Sequence, residues 1–211
     1  MVPVWVADTQ FATREIKKLN STDKSFRQLL DVSRVGLFGH SMGGRVSVRA
    51  CQVITGAQAC LNQDGGLFGV DFRTGETVKF VAEQTPVHGA MLNIDLPIHA
   101  PPGQLDTEGQ KMFEVWQARK SRLVQDFLAQ NTKTTYAAVD KGTKLTHGSF
   151  MDVRFLNAQT EGSDPQRHLE ELHAINEINV AFFDAVLKSN SDKLQKLLAN
   201  GISGLSFERL H

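Results

Sequence analysis

The stretch Gly39-His40-Ser41-Met42-Gly43-Gly44 limits what this chain can fold into more than any other. Before it, Arg34 to Phe38 reads as a short buried strand; after it, Met42 to about Val53 reads as a helix that breaks near Gly56. A serine between strand and helix, with glycine two places to either side, needs a sharp turn. That turn strains its own backbone and leaves no room for bulk at Gly39 and Gly43. It also lifts the Ser41 hydroxyl above the sheet and puts the Met42 N–H at a helix N-terminus, aimed where charge would develop on an attacked carbonyl. Ser41 is therefore the expected nucleophile and Met42 the expected oxyanion donor. An incidental serine in a glycine-rich turn is the plain alternative, and the flanking strand and helix argue against it.

The rest of the chain supplies strands and helices in alternation. Residues 5–19 read as a helix with Trp5, Ala12, Ile16 and Leu19 on one face. Ala59 to Leu61, Val87 to Ile94 and Thr134 to Val139 read as strands, and residues 67–81 as a hairpin with Thr74-Gly75 at its tip. Thr107 to about Gln130 is a long amphipathic helix with the apolar stripe Phe113, Trp116, Leu123 and Phe127. Residues 169–188 and 191–199 complete the helices, with Gly201 as a stop. This alternation predicts an α/β fold with a mostly parallel, doubly wound sheet, and 211 residues suit a single domain, 1–211.

Composition excludes more than it identifies. A formal net charge of zero gives no argument for nucleic acid or a charged membrane surface. No apolar run approaches the roughly 20 residues of a membrane helix, and Met1 to Trp5 has neither the basic nor the apolar region of a signal peptide. The compartment stays open between cytoplasmic and secreted. Cys51 and Cys60 are close enough in sequence to pair, and are read here as two small core residues. No Cys/His cluster has metal-ligand spacing, and no cofactor is expected.

A serine hydroxyl needs a histidine to take its proton, and that histidine needs a carboxylate to hold its tautomer. Behind a G-x-S-x-G turn the order is serine, acid, histidine. His147 follows strand 134–139 by a short polar loop and precedes Gly148, Ser149 and Phe150, so it is the expected base. His99, in a proline-rich loop, is its rival. His88 falls inside a strand and reads as a packed core residue, while His168 and His173 read as an exposed helix start. Two carboxylates stand where strands end, Asp64 and Asp95, and either loop reaches the histidine side. Gly65-Gly66 lets the chain turn sharply after Asp64, and Asp95 before Pro97 also reads as a turn or capping residue.

Val35 to Gly44, the Leu61 to Gly65 loop and His147-Gly148-Ser149-Phe150-Met151-Asp152 together resemble the platelet-activating-factor acetylhydrolase family of α/β-hydrolases, with dienelactone and polyester hydrolases as relatives. The resemblance runs from about residue 5 to residue 188. It implies that the acid follows the strand after the nucleophile helix, which favours Asp64 over Asp95. It also implies short-chain acyl or acetyl esters as small-molecule substrates. Asn62-Gln63 depart from the family pattern, in which apolar residues run straight into the acid. Residues 67–131 read as an insertion: either a cap whose Phe113, Trp116 and Phe127 line the pocket, or a helix packing its stripe on the sheet.

Only 38 residues precede Gly39, whereas the α/β-hydrolase sheet has several strands before its nucleophile and takes its second oxyanion donor from there. The N-terminal strands are therefore expected to be missing: the chain reads as part of a longer hydrolase, or else as a minimal form that pairs with a partner or its own copy as a homo-oligomer. In either case the nucleophile strand is expected at an open sheet edge. The leading expectation is a serine esterase working through an acyl-enzyme. The other is a catalytically weak interaction module that keeps the fold.

Overall fold

A computed structural model of the chain describes residues 1–71, 79–82, 85–97, 105–153, 156 and 164–211. The elements run α1 (Val2–Thr22), β1 (Val35–His40), α2 (Met42–Val53), β2 (Ala57–Gln63), β3 (Phe68–Asp71), β4 (Lys79–Ala82), β5 (Ala90–Ile94), α3 (Thr107–Ala129), β6 (Thr135–Asp140), a 3-10 turn (His147–Phe150), α4 (Pro165–Leu187), α5 (Asp192–Asn200) and β7 (Leu205–Arg209). Five strands form one sheet in the order β1-β2-β5-β6-β7, and β3 and β4 form a separate antiparallel pair. The first four strands of the main sheet are parallel and β7 is antiparallel to β6. The protein is thus α/β, with a mostly parallel sheet flanked by helices.

Strand alternation divides the core. Ala59, Leu61, Leu92, Ile94 and Tyr136 point to one face, where Ile175, Ile178 and Phe182 of α4 and Leu194 and Leu197 of α5 cover them. Cys60 and Met91 point to the other, against Val48, Ala50 and Cys51 of α2 and Val124, Phe127 and Leu128 of α3. Strands buried on both faces are expected of a parallel sheet.

Several expectations need correction. Cys51 and Cys60 are fully buried and joined as a disulfide, tying α2 to β2, so they are a covalent link rather than two small core residues. Strand β5 begins at Ala90, not Val87, whose N–H donates to the Asn131 side chain at 3.1 Å; His88 is exposed. The helix α1 forms, but it buries none of its residues: Trp5, Ile16 and Leu19 are all more than 40% exposed. Only the C-terminal part of the α3 stripe is buried, and Phe113 and Trp116 stack on each other nearer the surface. The strand β7 was not anticipated, although Leu205 and Phe207 are buried alternately in it. The tip of the expected hairpin, Thr74-Gly75, lies outside the described residues, and so does His99.

Candidate active site

Ser41 sits between β1 and α2 with φ 56° and ψ −123°, in the left-handed region that strains a non-glycine residue. The strain is held by tight packing. A Cβ on Gly39 would run into the Gly43 backbone, and one on Gly44 into the Asn62 side chain and the Gly39 carbonyl. Gly43 has open space where its own Cβ would be, so the steric demand falls on Gly39 and Gly44 rather than on Gly39 and Gly43. The Ser41 N–H donates to the Gln63 carbonyl at 2.9 Å, which ties the turn to the end of β2. Met42 opens α2, and no side chain caps that helix end.

Asp64 follows β2 and also has a positive φ, 54°. Its N–H donates to the Ile94 carbonyl at 2.7 Å, and its Oδ1 accepts from the Leu96 N–H at 2.9 Å. The Asn62-Gln63 departure now has a physical reason. Asn62 is fully buried, accepts from the Gly65 N–H at 3.0 Å, and donates to the Gly65 carbonyl at 2.9 Å and to Asn93 Oδ1 at 2.7 Å. It closes the Asp64-Gly65 turn from beneath, where an apolar residue would leave those backbone groups unpaired. Gln63 donates to Asn179 Oδ1 at 2.9 Å and so fastens the same strand end to α4. Two polar residues at the end of a buried strand are the sequence signal for this support.

His147 starts the 3-10 turn after β6. Its Nδ1 lies 2.6 Å from Asp64 Oδ2 and its Nε2 lies 3.1 Å from Ser41 Oγ. A carboxylate only accepts, so Nδ1 carries the proton and Nε2 faces the serine as an acceptor. The Asp64 side chain is 6% exposed and that of His147 54%, so the chain of hydrogen bonds runs from the interior to an open surface. His40 lies beside it, 4.5 Å from the His147 ring and stacked on Phe150 at 5.2 Å. Burial holds the His40 imidazole below its ordinary pKa, and the proximity of the His147 ring lowers it further.

Asp95 goes elsewhere: its Oδ1 pairs with Lys120 Nζ at 2.8 Å, and burial nonetheless pushes its carboxyl above the ordinary range. His168 is buried against Glu171 rather than exposed, while His173 is exposed as expected. The sequence reading missed Asn62, Ser149 and Glu171, the buried polar residues beneath the site. Among the described residues no group of three or more His, Cys, Asp or Glu could hold a metal, and no helix is long and apolar enough to cross a membrane. No known protein-family model matches the chain, and no curated protein matches it.

Proposed function

We propose that this chain is a serine hydrolase that cleaves carboxylic esters, built on an α/β-hydrolase fold. The observation that carries the reading is the continuous relay Asp64–His147–Ser41 ending on a serine with strained backbone at the start of a helix. In the reaction, His147 Nε2 takes the Ser41 hydroxyl proton as Oγ attacks the ester carbonyl. Asp64 holds the imidazole in the needed tautomer and stabilises its charged form. The Met42 N–H faces the developing oxyanion. The tetrahedral adduct collapses, His147 protonates the departing alkoxide, and water repeats the sequence to release the acid. The resemblance to the platelet-activating-factor acetylhydrolase family favours short-chain acyl esters.

The reading is tested with a fluorophosphonate probe, which forms a covalent adduct with an activated serine. Labelling that disappears in both Ser41→Ala and His147→Ala supports it. A well-folded chain that does not label overturns it. That second outcome favours an interaction module, a reading that draws on the open edge of β1 and the exposed apolar residues of α1.

A further inference from the structure

Resting on that reading of the site, we infer that Glu171 is a positioning residue for His147, acting through Ser149. More than half of the His147 side chain is exposed, so beyond the His40 ring and its two hydrogen bonds the imidazole is held by the backbone that carries it. Its place depends on the 3-10 turn it begins, and that turn is gripped from below. Ser149 is 2% exposed, and its Oγ accepts from the Thr146 N–H at 3.0 Å while donating to Glu171 Oε2 at 2.6 Å. Glu171 is buried in α4. Its Oε1 accepts from Arg167 Nε at 3.0 Å, and its Oε2 stands 3.4 Å from His168 Nδ1.

Burying a carboxylate is costly unless its lone pairs are met by donors, and a hydrogen bond to an ionised acceptor is stronger than one between neutral groups. A charge-assisted bond of this kind stiffens the turn where a neutral contact would leave it free to rock. Rocking matters because His147 must hold Asp64 and Ser41 at once, and a displacement of about 1 Å in such a site costs about 100-fold in rate. Glu171 acts on His147 through the Ser149 hydroxyl.

The experiment compares wild type, Ser149→Ala, Glu171→Gln and their double variant, with Leu128→Ala as a control that loosens the core cluster on the other face of the sheet, which does not include Phe150 of the turn. Two signals are read: the rate constant for fluorophosphonate labelling, and the low-field proton resonance of the His147 Nδ1–H. Ser149→Ala and Glu171→Gln are each expected to slow labelling about 10- to 100-fold and to broaden or erase that resonance. The double variant should be no worse than the more impaired single variant, because both act along one path. Leu128→Ala should lose thermal stability and label at the wild-type rate. Wild-type labelling and an unchanged resonance in both variants would overturn the proposal, as would multiplicative losses in the double variant. If Glu171→Gln does not fold, Glu171→Asp, which keeps the charge but draws it back from Ser149, takes its place with the same expectation. If wild type itself does not label, the hydrolase reading fails, while the resonance still decides whether Glu171 positions His147.

Discussion

The first 34 residues and the centre of the sheet are built differently. Helix α1 has 21 residues and buries none of them, touching the remainder through α2 with Val6 against the core. A cavity of about 330 Å³ opens between α1 and β1, lined by Ile16, Leu30, Val35 and Leu37 among others. In β2 and β5, by contrast, Ala59, Cys60, Leu61, Met91, Leu92 and Ile94 are buried almost completely, and the buried Asn62 and Asn93 are hydrogen-bonded to each other. The candidate site spans this divide. Asp64 belongs to the packed centre, whereas Ser41 stands at the end of β1, the edge strand, and its position is set by bonds back to β2. The difference teaches that the site's precision comes from the inner strands, and that the edge strand is held in place by them.

If the inner strands govern the site, the largest effect comes from Asp64. Asp64→Asn should slow fluorophosphonate labelling by about 10,000-fold, since an amide no longer holds the His147 tautomer. Asp95→Asn, whose partner is Lys120, should label within a few-fold of wild type. The opposite ranking would displace Asp64 from its role. The packing contrast is tested by urea unfolding. Phe182→Ala should cost about 3–5 kcal/mol, and Phe11→Ala on α1 no more than about 0.5 kcal/mol. Equal losses would erase the contrast. Replacing both cysteines by alanine should cost about 2–3 kcal/mol, because the nine-residue separation gives a short closed loop.

The acid response sharpens the contrast further. Burial alone pushes the Glu171 carboxyl up, but hydrogen bonds from Ser149, His168 and Arg167, with the Arg167 charge, outweigh it and leave its pKa below the ordinary 4.5. The carboxylate therefore contributes stability that is present above the unfolded value and is lost as pH falls through the lower folded value. Melting temperatures of wild type and Glu171→Gln should converge as pH drops below about 4.5. A smaller effect concerns the turn at Ser41. Gly43→Ala should raise stability by up to about 1 kcal/mol, since its Cβ meets open space inside a helix, whereas Gly44→Ala should lower it by forcing Asn62 aside.

Much of the architecture was legible because it is written locally. Periodicity located every strand of the main sheet but β7 and every long helix, with ends shifted by a few residues, and turn chemistry located the strand-to-helix turn at Ser41. What was not legible depends on distant partners. Two cysteines nine apart look alike whether or not they pair, until α2 packs against β2. A histidine and a glutamate at one helix start look solvated until the turn at Ser149 closes over them. The Leu205 to Arg209 strand shows alternation, but its five residues count as a strand only once β6 offers an edge.

Sequence alone determined that Ser41 would stand at a strained strand-to-helix turn, because the steric demands of that turn extend over only a few residues. Tertiary structure decided which carboxylate meets His147. Asp64 and Asp95 end adjacent parallel strands with similar local chemistry, and His147 is 83 residues from the one it contacts. The choice between them was made by the Asn62–Gly65 turn, which aims Asp64 across the strand ends, and by Lys120 on α3, which takes Asp95 away. Over such separations in sequence, strand order and the direction of a buried hydrogen bond carry information that spacing cannot.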